Sequence, residues 1–175
     1  MVIDENKFES VVFGAGCFWC VEAIFLRVEG VESVVSGYSG GSLEDANYKA
    51  VCSGSTGHAE VCKISFDPNI VALKDLLKVF FETHDPTTLN RQGSDTGTQY
   101  RSAIFYSDED QKKISKEFID ALDANEVFKK PIVTSLEPLN DFYKAEQYHQ
   151  NYYELNKTQP YCQIVVKKKI DDFLS

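Results

Sequence analysis

The sequence lacks an excess of basic residues. Its 175 residues include 18 Lys and Arg against 27 Asp and Glu, which gives a formal net charge of -9 at pH 7. Nucleic-acid binders neutralise phosphates with clustered Lys and Arg, so this balance argues against a nucleic-acid partner. The one basic cluster, Lys167–Lys169, is interpreted as a solvated face near the C-terminus.

The sequence also lacks any apolar run close to the roughly 20 residues that span a bilayer. Residues 1–7 contain neither the basic nor the apolar segment of a secretory signal. No internal repeat or low-complexity linker divides the chain. We therefore expect no membrane association, a cytoplasmic location and a single domain over residues 1–175.

The sequence contains five cysteines and three histidines. The five cysteines lie at positions 17, 20, 52, 62 and 162, and an odd number argues for redox or catalytic use over a fully paired secreted framework. Cys52 and Cys62 belong to no motif and are interpreted as structural. The three histidines, at positions 58, 84 and 149, are expected to make structural hydrogen bonds.

The segment around Cys17 has the clearest pattern. The apolar run 11–13 predicts a strand, two glycines follow, and apolar residues then recur at helical spacing over 18–25. Cys17 is thereby placed at the first turn of a helix, where unpaired amides and the positive dipole end favour an anion. A thiol there should lose its proton more readily than a free cysteine, so Cys17 is the candidate nucleophile.

Residues 58–66 alternate in the manner of a strand. Glu60 shares the more apolar face with Cys62, Ile64 and Phe66 and lies near its end. Partial desolvation there would raise the pKa of the carboxyl group and make Glu60 a proton donor near neutral pH. The pattern alone is equally compatible with an ordinary carboxylate at a strand edge.

The order of elements predicts the fold class. Over residues 8–107 the pattern predicts β-α-β-β-α-β, with strands at 8–14, 31–38, 58–66 and 100–107 and helices at 18–28 and from Asp67–Asn69 onward. This is the order of the ferredoxin-like split βαβ unit. We expect an α+β fold, a two-layer sandwich with a ferredoxin-like core plus C-terminal additions.

The expected additions are a helix capped by Ser107 and Asp110, a short strand over 132–136, a helix over 142–155 and a mobile tail that carries Cys162. The polar stretch 84–99 is unusually long for a connection without structure, and we expect it to be an ordered functional loop.

Five blocks of the sequence resemble one family, the A-type methionine sulfoxide reductases, which act on the S epimer of the sulfoxide. The blocks are GCFWC at 16–20, GYSGG at 37–41, YKAVCSGSTGHAEV at 48–61, HDPTTLNRQGSDTGTQYRSAIF at 84–105 and AEQYHQNYY at 145–153. Together they extend over nearly the whole chain in the same order.

The resemblance implies roles for residues around Cys17. The sulfur of a sulfoxide is electrophilic only when its oxygen is protonated or hydrogen-bonded. The family pattern assigns the attack to Cys17 and the proton to Glu60, while Tyr48 and Tyr100 hold the oxygen as neutral donors.

The resemblance also implies a substrate site. Phe18 and Trp19 match the family's apolar pocket for the S-methyl group of the substrate. Asp95 aligns with a family residue that helps to hold the site and the substrate backbone. The implied substrates are free methionine sulfoxide and oxidised residues in other proteins.

Family chemistry leaves Cys17 as a sulfenic acid, with which a second thiol condenses to a disulfide. Cys162 matches the distal recycling cysteine of many members, and thioredoxin would reduce the bond without any metal, flavin or nicotinamide. Cys20, three residues from Cys17, is a competing resolving thiol. Cys162 is favoured because a mobile tail could reach the sulfenic acid without distorting a helix. We expect a monomer.

Two other functions fit parts of the sequence. Cys17 and Cys20 have the Cys-x-x-Cys spacing of a general dithiol-disulfide oxidoreductase. The bulky Phe18 and Trp19 between them are untypical of that class. A zinc-binding module is the weaker alternative, because only one close-spaced cysteine pair is present.

Overall fold

The computed structural model describes residues 7–175. Its elements follow the chain as β1 (Glu9–Ala15), α1 (Phe18–Phe25), β2 (Val31–Ser39), α2 (Tyr48–Val51), β3 (Ala59–Phe66), α3 (Leu73–Glu82), β4 (Arg91–Gln92), β5 (Asp95–Thr96), β6 (Ser102–Tyr106), α4 (Glu109–Ala124), β7 (Ser135–Pro138), β8 (Tyr143–Lys144), α5 (Tyr152–Leu155) and α6 (Lys167–Leu174). Among these residues, no helix is both long and apolar enough to cross a membrane.

A six-stranded sheet with the order β7-β6-β1-β3-β2-β8 forms the centre of the fold. The four strands β6, β1, β3 and β2 pair antiparallel, which is the ferredoxin-like arrangement. β7 extends the sheet in parallel beside β6, and β8 pairs with the far edge of β2. The predicted α+β class and ferredoxin-like core are confirmed.

Alternate residues of β3 point to opposite faces of the sheet. Cys62, Ile64 and Phe66 point into the main core, which α1 and α3 also line. Ala59 and Val61 point to the opposite face, into a smaller cluster beneath Leu139 and Phe142. The helices therefore lie on one face, and a loop covers the other.

The helix starts differ from their predictions. Asp67 accepts a hydrogen bond from the Asn69 amide at 2.9 Å, but α3 begins only at Leu73, where the Ala72 amide donates to Asp75 at 2.9 Å. At α4 the N-cap is Asp108, whose side chain accepts from the Gln111 amide at 2.8 Å, and not the pair Ser107 and Asp110.

The predicted helix over 142–155 is wrong. This segment runs as β8, a single 3-10 turn at Gln147–His149 and the short helix α5. The open edge of β2 is the cause, because the Ala145 amide and both polar atoms of the Gln150 side chain hydrogen-bond the backbone of Ser36. Asn151, with φ of 55°, then interrupts any helix.

The prediction of a mobile C-terminal tail is also wrong. Cys162–Val166 forms a π-helical turn that continues into α6, and Cys162, Val166 and Ile170 are buried against α1. Their spacing of four residues is a helical signal that the strand-like run 164–166 obscures. Lys167 and Lys168 pair with Asp171 and Asp172 on the exposed side of α6.

Candidate active site

The loop between β1 and α1 holds Cys17 at the N-cap of α1. Gly16 has φ of 88°, and a Cβ atom there would lie 2.7 Å from Cγ of Gln92. Only glycine fits this turn without strain, and the turn aims the Cys17 side chain at the start of the helix. Cys17 is 8% exposed.

Glu60 lies beside this helix start, on β3. Its Oε1 accepts a hydrogen bond from the Phe18 amide at 3.2 Å, and the residue is only 1% exposed. Burial raises the pKa of Glu60 to about 8, although the amide hydrogen bond opposes the shift. Glu60 is therefore protonated at neutral pH, as a proton donor must be.

The prediction that Cys17 loses its proton more readily than a free cysteine is wrong. Burial raises the pKa of Cys17 well above its ordinary value, and the neighbouring Cys20 thiol and the charge of Glu60 act in the same direction. The helix start cannot compensate for this loss of solvation. The pKa of Cys20 is instead lowered, chiefly by the neighbouring Cys17 thiol.

Two half-buried tyrosines face the same region. Burial raises the pKa values of Tyr48 and Tyr100, and the nearby charge of Glu60 adds to both shifts. Glu146 fixes the start of α2, because its carboxylate accepts from the Tyr48 amide and the Tyr38 hydroxyl, both at 2.9 Å. Both phenols are neutral donors at the pH where Glu60 keeps its proton.

The aromatic residues after Cys17 occupy different environments. The Trp19 indole N–H donates to Nδ1 of His149 at 3.0 Å, and its ring stacks on Tyr152 with centroids 3.7 Å apart. Phe18 is completely buried beside Tyr38 and His149. Trp19 is half-buried at the surface of the site. A methyl pocket formed by Phe18 and Trp19 stays a prediction.

The C-terminal segment, residues 159–175, closes over the site. The Tyr161 hydroxyl donates to Asp95 at 2.8 Å and lies 3.9 Å from the Cys20 sulfur. The edge of its ring meets Trp19 with centroids 5.7 Å apart. Cys162 is 0% exposed and lies in one cluster with Cys17 and Cys20, so the two predicted resolving thiols share a region.

Sequence reasoning missed Glu22, which the structure buries on α1. Its carboxylate accepts from the Tyr152 amide at 3.2 Å and the Ser36 hydroxyl at 3.4 Å, and burial raises its pKa. Glu22 thereby ties α1 to the turn that carries Tyr152, the stacking partner of Trp19. Its place after the helix start predicts no such role, because the partners lie far away in sequence.

The remaining cysteines lie apart from this thiol cluster of Cys17, Cys20 and Cys162. Cys62 is buried and donates to the Phe18 carbonyl at 3.6 Å, whereas Cys52 is exposed at the end of α2. Within residues 7–175 no group of three or more His, Cys, Asp and Glu side chains is arranged to hold a metal ion.

Comparison with known proteins places this chain in a family. The model of the peptide methionine sulfoxide reductases matches residues 9–175. The chain belongs to this family. A peptide methionine sulfoxide reductase MsrA of Chromobacterium violaceum is 54% identical over 162 residues, which cover 93% of this chain and 92% of that protein.

Solved structures of this reductase family share the fold. The reduced form of Mxr1 from Saccharomyces cerevisiae superimposes with a TM-score of 0.85 at 33% identity, covering 92% of each chain. Mxr1 in complex with Trx2 matches with a TM-score of 0.61 at 25% identity, over 87% of this chain and 89% of that one. The resemblance drawn from the five sequence blocks is confirmed.

Proposed function

We propose that this protein reduces methionine (S)-sulfoxide, both free and within oxidised proteins, to methionine at the expense of thiols. The observation that carries the proposal is the protonated carboxyl of Glu60 beside Cys17 at the start of α1. A nucleophile and an acid on either side of one reacting group are what sulfoxide reduction requires.

The first step transfers the sulfoxide oxygen to Cys17. The Cys17 sulfur attacks the sulfoxide sulfur while Glu60 protonates the oxygen and Tyr48 and Tyr100 donate hydrogen bonds to it. The S–O bond of the substrate breaks and an S–O bond to Cys17 forms. Methionine leaves reduced by two electrons, and Cys17 becomes a sulfenic acid, oxidised by two.

The Cys17 thiol must lose its proton during the attack, because burial raises its pKa. Cys20, three residues along and with a lowered pKa, is the proposed acceptor of that proton.

Substrate must displace the closing contacts of the C-terminal segment. Asp95, which now accepts from Tyr161, would accept an amide of the substrate backbone, and Trp19 with Phe18 would receive the methyl group. The contact between Tyr161 and Asp95 supports this assignment, since it marks a hydrogen-bonding position that a ligand amide could take.

A second thiol and an external dithiol complete the cycle. We propose that a disulfide replaces the sulfenic acid, that Cys162 takes part in it, and that thioredoxin reduces it. The complex of Mxr1 with Trx2 supports thioredoxin as the reductant. The protein is expected to act as a cytoplasmic monomer without metal or organic cofactor.

The cycle is tested by turnover with thioredoxin as the only reductant. Wild-type protein should reduce free methionine sulfoxide and an oxidised protein, whereas Cys17→Ser should reduce neither. Reduction of protein disulfides without any sulfoxide reduction would instead support general dithiol-disulfide exchange by Cys17 and Cys20.

A further inference from the structure

We propose that Arg101, held in place by Glu137, is a positioning residue that sets the distance between the phenols of Tyr48 and Tyr100. These two phenols are the groups assigned to hold the sulfoxide oxygen, so the proposal rests on the proposed function. Arg101 follows Tyr100 directly in the chain and acts on the reaction through the backbone that it fixes.

The guanidinium of Arg101 joins three separate parts of the chain. Its Nε and Nη2 donate to the two carboxylate oxygens of Glu137, at 3.0 and 3.1 Å. Its Nη1 donates to the Thr98 carbonyl at 2.9 Å, and Nη2 also donates to the Gly57 carbonyl at 3.1 Å. The planar fork of arginine suits a two-pronged contact with a carboxylate and leaves further N–H groups for carbonyls.

The two carbonyls belong to the segments that carry the phenols. The first lies in the 3-10 turn Thr98–Tyr100, immediately before β6. The second, that of Gly57, lies at the end of the loop 52–57, which follows the helix α2 that Tyr48 begins. Arg101 therefore links the turn that carries one phenol to the loop that follows the other.

Two further side chains bridge the same segments. The Thr98 hydroxyl donates to the Gly54 carbonyl at 2.9 Å, and the Gln99 side chain donates to the Cys52 carbonyl at 3.4 Å. Both are neutral hydrogen bonds, and hydrogen bonds from a charged donor are stronger. Arg101 is also the contact that ties both segments to the sheet, through Glu137 on β7.

Glu137 fixes the guanidinium from β7. Its Oε2 also accepts from the Ser135 hydroxyl at 2.7 Å. Burial would raise the pKa of Glu137, but the hydrogen bonds from Arg101 and Ser135 outweigh burial and lower the pKa, so the carboxylate stays charged. The side chains of Arg101 and Glu137 are 16% and 29% exposed, and a bidentate pair at this depth keeps its geometry better than a fully exposed ion pair.

Gly40 shows how closely the guanidinium is packed. This residue follows β2 with φ of 109°, and a Cβ atom there would lie 2.7 Å from the Gly57 carbonyl oxygen and 2.8 Å from Nη2 of Arg101. The guanidinium thus lies against the backbone of both glycines. In so dense a contact, a shift of the guanidinium would move the Gly57 carbonyl with it.

The distance between the phenols matters because both must reach one oxygen atom. Burial raises the pKa values of Tyr48 and Tyr100, and the charge of Glu60 adds to both shifts, so both phenols lie near the same carboxyl group. Hydrogen bonds to an oxygen that gains charge strengthen in the transition state. A misplaced phenol therefore slows the chemical step more than it weakens substrate binding.

The test is single-turnover release of methionine from an (S)-sulfoxide peptide by full-length protein, over a range of peptide concentrations. Arg101→Lys keeps the positive charge but loses the fork that joins the three parts of the chain. Arg27→Lys is the matched control, because Arg27 also pairs with a carboxylate, that of Glu154 at 2.9 Å, and lies beyond the end of α1.

We expect Arg101→Lys to lower the rate at saturating peptide by about 10- to 100-fold. The peptide concentration that gives half of this rate should change by less than about threefold. Glu137→Gln, which keeps the arginine but removes the charge that holds it, should give a smaller loss in the same direction. Arg27→Lys should match wild type within about twofold.

A double-mutant cycle separates positioning from a general structural role. In the Tyr48→Phe/Tyr100→Phe background, Arg101→Lys should change the rate by less than about twofold, because no phenol is left to position. Tyr100→Phe alone serves if that background is too slow to measure, and the loss caused by Arg101→Lys should then be smaller than in wild type.

An unchanged rate at saturating peptide in Arg101→Lys or in Glu137→Gln would overturn the proposal. A loss by the same factor with and without the phenols would overturn it too, since Arg101 would then act on another part of the protein. If circular dichroism shows that Arg101→Lys does not fold, Glu137→Gln in the same cycle decides the matter. Failure of the wild type to release methionine would instead reject the proposed function.

Discussion

Glu60 is a carboxylic acid that the protein encloses between β3 and the start of α1. The hydrogen bond from the Phe18 amide stabilises a negative charge on Glu60 by less than burial costs, so the pKa rises to about 8. A buried carboxyl group that keeps its proton at neutral pH is suited to protonating a substrate oxygen.

The first prediction concerns the pH dependence of the sulfoxide step. Because the acid form of Glu60 is the active one, the rate of methionine release should fall as the pH rises through about 8. Glu60→Gln should lose about 10²- to 10⁴-fold in this rate and lose the decline with it. Single-turnover methionine release across pH measures both, and an unchanged profile in Glu60→Gln would contradict the assigned role.

The second prediction concerns stability. Folding raises the pKa of Glu60. Its contribution to the unfolding free energy is therefore fully present below the pKa of the unfolded chain and is lost as the pH rises through about 8. The unfolding free energy of Glu60→Gln relative to wild type should therefore increase by more than about 2 kcal/mol from about pH 5 to about pH 9.5. Denaturant unfolding at the two pH values checks this, and a constant difference between the proteins would refute it.

For single residues, the sequence predicts which way a side chain points better than it predicts what surrounds that side chain. Alternation along β3 predicts that Glu60 points inward, and the turn before α1 predicts the position of Cys17. The ionisation of Cys17 was not predictable, because its burial depends on a C-terminal segment that is distant in sequence. The partners of Glu22 are distant for the same reason.

The helix α1 is the element on which the site is built. Its N-cap is Cys17, its first turn carries Trp19 and Cys20, and its Glu22 accepts a hydrogen bond from the first residue of α5. Its orientation thus sets the distances between Cys17, Cys20 and the Trp19 ring.

The third prediction tests the tie between α1 and α5. Glu22→Ala leaves the partly buried Tyr152 amide without its acceptor and should cost about 1–3 kcal/mol of unfolding free energy. Exposed Glu29 is the matched control, and Glu29→Ala should change stability by less than about 0.5 kcal/mol. Equal effects of the two substitutions in denaturant unfolding would show that the hydrogen bond between Glu22 and α5 does not stabilise the protein.

Element prediction succeeded where the pattern was local. The apolar spacing of α3 and the alternation of β3 both correspond to faces that the structure buries. The segment 142–155 has helical spacing too, yet the unpaired edge of β2 recruits its backbone and the Gln150 side chain. Competition with a sheet edge is a tertiary effect that spacing within one segment cannot reveal.

The whole molecule has features that favour a single copy in solution. The outer strands of the sheet are short, with four residues in β7 and two in β8. Short edge strands offer little backbone for pairing with a second chain, and the net charge of -9 adds mutual repulsion.

The fourth prediction follows from these edges. Light scattering coupled to size-exclusion chromatography should give a mass close to the 19.8 kDa of one chain at all accessible concentrations. A concentration-dependent mass near twice this value would show that the sheet edges or another face associate.

At this largest scale the sequence predicted most of the architecture. The order β-α-β-β-α-β appears as the four antiparallel strands at the centre of the sheet. The prediction for the C-terminal segment was the main error, because the sequence does not show that Cys162 and Ile170 pack against an apolar surface of α1.

The most direct test of the account is reduction of the two separated epimers of a methionine sulfoxide peptide, with dithiothreitol as donor. Wild-type protein should reduce the S epimer alone, and Cys17→Ser should reduce neither. That result would establish the reaction, its stereochemistry and the nucleophile together. Activity on neither epimer by folded wild-type protein with reduced thiols would contradict the account.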